Sequence, residues 1–341
     1  MPEYFFVMNV EPIRSLLSSA RKILITTHFK PDGDAMGSSL GLYNYLIQKS
    51  HDVTVVVPSD YPEFLQWMAG NETVLEFEKD LPRSMKLIEE AEVIFCLDFN
   101  RLHRCEGLAP HIQKSKAKKI IIDHHLEPEQ FCDYEFLVPG ASSTSELIYD
   151  FIIAFGDEEH ITKSVAECLY AGIMTDTASF RFSTMKAETH RVIASLIEKG
   201  AENFRIHEAI YDCWSEQRIR LLAYSLNDKM KVLPEYNTAM IELSREEMNR
   251  FNHKTGDTEG IVNIPLSIKN IRLSVFFVQR KNEIKISFRS KDDFNVRDLS
   301  AKYFEGGGHK NAAGGKSDKS MEETVAKFIS ILPEYKHELV S

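Results

Sequence analysis

Four short runs decide what the first third of this chain can become: "KILITT" (22–27), "DVTVVVP" (52–58), "VIFCLD" (93–98) and "KKIIID" (118–123). Each is apolar at nearly every position, not at alternate ones, which suits strands buried on both faces. Stretches of helical periodicity separate them, the pattern of a parallel sheet covered by helices. After Asp34, "AMGSSLGLYNYLIQ" puts Met36, Leu40, Tyr43 and Ile47 on one helical stripe. Its small residues Gly37, Ser38, Ser39 and Gly41 are expected to let that helix pack closely on the sheet. A second helix is expected in "SSTSELIYDFIIAF", where Ser143 and Glu146 have the capping-box spacing. Ser142, Ser143 and Thr144 are also candidates for lining the cleft, but helix capping accounts for them adequately.

Between 186 and 232 the pattern is helical and charged, without a strand signal. Strands return as "NTAMIEL", "IRLSVFFVQR" and "EIKISFRS", with "KNE" (281–283) as the turn between the last two. A helix at 296–304 and the Gly-rich "EGGGHKNAAGGK" follow. A chain of 341 residues exceeds what one hydrophobic core supports. The expected division is a first α/β domain over 1–195, a helical linker over 196–230 and a smaller α/β domain over 231–341.

The bulk numbers exclude several classes. A net charge of −10 argues against tight binding to long duplex DNA, which needs a broad basic face. Five cysteines without a C-x-x-C pair give neither a zinc ribbon nor a disulfide framework, and reduced thiols fit a cytoplasmic protein. The start, "MPEYFFVMNVEPIRS", lacks the pattern of a signal peptide. Apolar runs such as "LSVFFV" are far shorter than a membrane span. No membrane association is expected.

The ionisable residues fall where strands end. "HFKPDGD" (28–34) follows "ILITT", Asp98 closes "VIFCL", "DHH" (123–125) closes "KKIII", and Asp176 follows the apolar run "CLYAGIMT". Taken singly, each has an ordinary explanation: a Pro/Gly turn, a helix cap, a surface residue. In a parallel sheet, however, all strand C-termini share one edge, and ligands bind in the crevice there. Four such ends bring His28, Asp32, Asp34, Asp98, Asp123, His124, His125 and Asp176 to one region. So many carboxylates repel one another at neutral pH, and two divalent cations would resolve the conflict. Oxygen-rich donors with a few imidazoles and no thiolate suit Mn²⁺ or Mg²⁺.

The segments "THFKPDGDAMGSSLGL", "LDF", "DHH" and "GIMTDTASF", in that order, resemble the four motifs of the DHH phosphoesterase superfamily. "FRS" and "GGGHKNAAGG" resemble its DHHA1 domain. The two-domain length is similar to the branch of nanoRNases and pAp phosphatases, the NrnA-type enzymes. The resemblance implies an active site in the interdomain cleft and a dimetal phosphoesterase. Its substrates would be short oligoribonucleotides and 3′-phosphoadenosine-5′-phosphate (pAp), cut by in-line attack of a metal-activated water. It implies His28 and Asp32 on one metal, Asp34, His124 and Asp176 on the other, and Asp98 bridging. His125 would donate to a phosphoryl oxygen or protonate the leaving group, and Asp123 would orient a histidine or the loop. Arg289, Gly307, Gly308 and His309 would grip a substrate phosphate. The ions would be Mn²⁺, with Mg²⁺ or Co²⁺ as substitutes, and a homodimer is compatible with this reading. The nearest rival is a cyclic-dinucleotide or pApA phosphodiesterase on the same scaffold. From another class, a nucleotide-binding regulator with a dead site would show a substituted ligand position, and none is substituted here.

Overall fold

The computed structural model describes residues 10–182 and 185–340, so most of the N-terminal stretch read above for a leader lies outside the described residues. The chain divides into two compact units between Cys213 and Trp214. In chain order the first contains α1 (Glu11–Leu16), β1 (Lys22–Thr26), α2 (Gly33–Leu46), β2 (Asp52–Val57), β3 (Leu75–Glu76), α3 (Leu81–Glu90) and β4 (Val93–Leu97). It continues with α4 (Ala109–Lys114), β5 (Lys118–Asp123), β6 (Tyr134–Leu137), α5 (Thr144–Ala154), α6 (Lys163–Asp176), α7 (Ala187–Glu198) and α8 (Asn203–Tyr211).

The strands form one sheet in the order β3-β2-β1-β4-β5-β6, with every neighbouring pair parallel. Alternate residues serve two cores, which explains the unbroken apolar runs. Ile23, Ile25, Val55, Phe95 and Ile122 pack under α2, α5 and α6. Leu24, Val56, Ile94, Cys96 and Ile121 face the opposite layer with Ile88 and Ile112. Each fully buried large side chain contributes about 1.5–3 kcal/mol. The chain leaves β1 in one direction and β4 in the other, so the sheet's switch point lies between these two neighbours. A crevice opens at the C-terminal ends of such a pair.

The structure corrects three sequence expectations. "CLYAGIMT" is not a strand but the second half of α6, so Asp176 arrives at a helix C-terminus. An apolar run of this length does not distinguish a buried helix from a strand. The small residues of α2 admit a helix, not the sheet: a Cβ on Gly37 would lie 2.6 Å from the Cys168 carbonyl of α6 and 2.9 Å from the Gly172 Cα. The capping box is half formed. Ser143 Oγ accepts from Glu146 N at 3.0 Å, but the Glu146 carboxylate turns to Ser142 N and to the Thr189 hydroxyl instead. The strands β3 and β6, of two and four residues, are too short to leave a sequence signal.

The second unit contains α9 (Glu216–Tyr224), β7 (Lys231–Leu233), β8 (Thr238–Leu243), α10 (Arg245–Arg250), β9 (Leu273–Gln279), β10 (Ile284–Ser290), α11 (Val296–Tyr303), β11 (Gly307–His309), β12 (Ala312–Ser317) and α12 (Met321–Val340). Its sheet runs β11-β12-β10-β9-β8-β7, antiparallel except for β8 and β9. "KNE" closes the β9–β10 hairpin, with Arg280 N donating to Glu283 O at 2.8 Å. Leu273, Val275 and Phe277 of β9 pack with α12, and Phe276 and Val278 serve the other face with Leu221 and Met248. Leu196, Ile206 and Ile210, from α7 and α8, are buried in the core of the first unit. Among the described residues no helix is long and apolar enough to cross a membrane.

Candidate metal centre

The loop after β1 begins the site. Asp32 caps α2, its Oδ1 accepting from Asp34 N and Ala35 N at 3.1 Å each. That turn leaves Asp32 Oδ2 facing His28 Nε2 at 3.8 Å. The His28 ring is fixed from behind, with Nδ1 2.9 Å from Phe29 O. A ring nitrogen that donates to a carbonyl leaves Nε2 with its lone pair forward. His124 repeats the device: Nδ1 lies 3.1 Å from Ala141 O, and Nε2 faces Asp98 and Asp176 at 3.5 Å each.

Asp98 stands at the centre, just beyond β4. Its Oδ2 is 3.4 Å from His28 Nε2 and its Oδ1 is 3.5 Å from His124 Nε2. Each carboxylate oxygen therefore faces a different histidine. The residue is 3% exposed and holds φ +62°, a left-handed conformation that aspartate adopts at a cost. Two donor groups result, His28–Asp32–Asp98 and Asp34–His124–Asp176, each with ligand atoms within 4.8 Å of one another.

The charges explain what such groups suit. Burial, then the charges of Asp98 and Asp176, push the Asp34 carboxyl well above the usual carboxylate range. Burial opposes ionisation of Asp98 too, but hydrogen bonds from His124 and His28 outweigh it and hold it well below that range. Burial likewise opposes protonation of His28, yet contacts to Asp32 and Asp98 push its pKa up to about 10. Four carboxylates with two imidazole Nε2 atoms and no thiolate form a donor set for hard divalent ions. Their mutual separations are near the ~3 Å expected between neighbouring ligands about 2.1 Å from one ion. The residues fit two such ions.

Asp123 is fully buried and accepts from the His125 ring and backbone, at 2.7 Å to Nδ1 and 3.1 Å to N. His125 Nδ1 is therefore engaged by Asp123, which fixes the ring's orientation. Burial and the Arg104 charge pull the His125 pKa below its ordinary value, against the pull of Asp123.

Sequence reasoning missed the support behind the carboxylates. Capping explains Ser143, but Thr144 does more: its N donates to Asp34 Oδ2 at 2.7 Å and its hydroxyl to Asp98 Oδ1 at 3.0 Å. Ser145 N donates to Asp34 Oδ1 at 2.9 Å. The N-terminus of α5 thus orients a carboxylate 110 residues away in sequence. Only the dense "SSTS" run hinted at it. Gly172 was read as part of a motif, not as the gap in α6 that admits Ser145 and Asp34.

In the second unit, strand register gathers the expected phosphate-binding residues. Ala312 of β12 pairs with His309 of β11 on one side and with Arg289 of β10 on the other. His309 and Arg289 therefore flank a methyl group on one sheet face. Gly308 takes φ +137°, and a Cβ there would meet Ala312 O at 2.5 Å. Gly307 has open space around it, and Gly306 is the closest approach, against Gly314 O and Ser300 Oγ.

Residues 22–173 match the DHH family, N-terminal domain, and residues 239–338 match the DHHA1 domain. Over 300 residues, 86% of this chain, the sequence is 30% identical to 89% of a Streptococcus mutans protein named probable bifunctional oligoribonuclease and PAP phosphatase NrnA. The chain belongs to the DHH family. A Bacillus subtilis member, named bifunctional oligoribonuclease and PAP phosphatase NrnA, is 29% identical over 315 residues, 90% of this chain and 92% of that protein. A DHH-family fold of the same extent is seen in the crystal structure of an exopolyphosphatase-related protein from Bacteroides fragilis. It superposes with a TM-score of 0.92 at 43% identity, covering 97% of each chain.

Proposed function

We propose that this DHH-family chain is a dimetal phosphoesterase that hydrolyses short oligoribonucleotides and pAp. The supporting observation is Asp98, whose two oxygens face two separate donor groups. His28 and Asp32 would hold one ion and Asp34, His124 and Asp176 the other, with Asp98 shared between them. Mn²⁺ is the proposed metal, which when bound lowers the pKa of water and neutralises phosphoryl charge.

The chain's own groups supply the rest. The Nδ1 contacts of His28 and His124 fix their ring orientation, and Thr144 and Ser145 hold the Asp34 carboxylate in place. Asp123 fixes His125, whose imidazole would donate to a phosphoryl oxygen or protonate the departing oxygen. An arriving phosphate dianion raises the His125 pKa and so favours that protonated form. Arg289 offers a planar fork of N–H donors to a second substrate phosphate, with His309 beside it. A grip on a terminal phosphate favours substrates a few nucleotides long over extended strands.

The test is a comparison of kcat/KM on pAp, pApA, a cyclic dinucleotide, RNAs of graded length and pyrophosphate, with Mn²⁺ present. Preference for pAp and two- to five-nucleotide RNAs, abolished in Asp98→Ala, is the expected outcome. Equal rates on long RNA would overturn the length preference. Preference for the cyclic dinucleotide would favour the rival reading, and unchanged turnover in Asp98→Ala would overturn the dimetal site.

A further inference from the structure

The loop that follows Asp98 carries a cation for which the fold gives no structural use. Residues 102–108 form two short 3₁₀ turns that meet at a kink at Glu106, stapled to the His28 loop. Phe29 N donates to Arg104 O at 2.7 Å, and Cys105 Sγ lies 3.6 Å from Thr27 O. The Arg104 backbone is thus pinned between the loops that carry His28 and Asp98. Its side chain is half-buried, and among the described residues its one hydrogen bond is a long contact of 3.5 Å from Nη1 to the Asp98 carbonyl.

Among the described residues no carboxylate lies within ion-pair distance of this guanidinium. Its neighbours are paired off: Lys30 with Asp60, and Arg101 with Glu127 at 3.2 Å. A guanidinium has five N–H donors, and one long contact leaves most of them unspent. Desolvating such a group without a partner is costly, so a half-buried one signals an anion that arrives later. The contact of Arg104 to the Asp98 carbonyl holds the guanidinium beside the loop that carries Asp98.

We propose that Arg104 is a phosphate-binding residue of the first unit, its guanidinium taking non-bridging oxygens of the phosphoryl group under attack. This rests on the phosphoesterase reading above. Arg104 stabilises the phosphoryl oxygens as charge grows on them. The pairing is charge-assisted and suited to the planar fork, so lysine is a partial substitute.

The experiment compares wild type, Arg104→Ala and Arg104→Lys for kcat and KM on pAp and pApA, and for Mn²⁺ affinity by calorimetry. Arg104→Ala should lose about 10²–10³-fold in kcat/KM, chiefly in kcat. Arg104→Lys should recover part of the loss, and Mn²⁺ affinity should stay within threefold or rise. A loss of activity matched by a loss of Mn²⁺ affinity would make Arg104 a prop for Asp98 and overturn the proposal. So would kcat/KM within threefold of wild type in Arg104→Ala. Wild-type protein inactive on every substrate would defeat the phosphoesterase reading instead. Arg104 is then judged by titrating Mn²⁺-loaded protein with inorganic phosphate. Binding at least tenfold weaker in Arg104→Ala sustains the assignment, and equal binding ends it.

Discussion

Replacing Gly172 with alanine sets two effects of opposite sign against each other. Gly172 lies inside α6, where alanine normally gains about 1 kcal/mol. Here the added methyl would lie 2.7 Å from Ser145 Cβ and 2.9 Å from Asp34 Oδ1, with Ser145 Oγ closer still. A hydroxyl can rotate away, but a Cβ cannot, so α5 and α6 must separate by several tenths of an ångström. Overpacking of this kind costs about 1–3 kcal/mol, and three atoms met at once place the change at the upper end. The expected net loss is about 2 kcal/mol. Asp34 must also shift from the amides of Thr144 and Ser145, which should weaken Mn²⁺ binding about 10–100-fold. The chain has two tryptophans, so in a Trp214→Phe background Trp67, packed on the first unit's core, reports urea unfolding of that unit. Metal-free stability comes from that transition and Mn²⁺ affinity from calorimetry. Adding Ser145→Gly should restore part of both losses, a coupling read from the double-mutant cycle. A Gly172→Ala protein that is more stable than wild type, with unchanged Mn²⁺ affinity, would refute the reasoning.

Three further outcomes follow from the geometry. Asp123→Asn should lower kcat about 10–100-fold by misorienting His125, while Mn²⁺ stoichiometry by calorimetry stays the same. Arg289→Ala should raise KM for pAp about 10–100-fold with a smaller change in kcat, and lysine should recover only part of it. Glu247 tests pH dependence in the second unit: burial opposes its ionisation, but Lys229, Tyr224 and Ser244 outweigh that and bring its pKa from 4.5 to about 2. A depressed carboxylate stabilises fully above its unfolded value and loses that contribution as pH falls through the folded one. Glu247→Gln should therefore cost about 1 kcal/mol at pH 7 after allowance for solvent screening, and urea curves of the two proteins should converge as pH falls from 4.5 towards 2.

The parallel sheet was legible because its strands are buried on both faces, and "VIFCL" is apolar at every position for that reason. Where periodicity is weak, sequence failed. "CLYAGIMT" reads equally as strand or helix, and α2 is buried nearly all round, so its supposed stripe carried little information. The clustering of these carboxylates and histidines was legible through chemistry, since strand ends carrying them in such numbers share one sheet edge. Their supports were not, since a backbone amide leaves no mark in a sequence. Thr144 N and Ser145 N orient Asp34 whatever their side chains are, and the carbonyls of Phe29 and Ala141 do the same for two histidines. Arg104 was invisible for a different reason. An arginine becomes informative only once the absence of a carboxylate partner among the described residues is seen, and partners are a property of the fold.

The bridging role of Asp98 is tested most directly by electron paramagnetic resonance of protein titrated with Mn²⁺. A bridged centre gives two Mn²⁺ per chain with the spectrum of an exchange-coupled pair, and Asp98→Ala loses the coupling. One uncoupled Mn²⁺ per chain, or two uncoupled ions whose spectrum Asp98→Ala leaves unchanged, would contradict it.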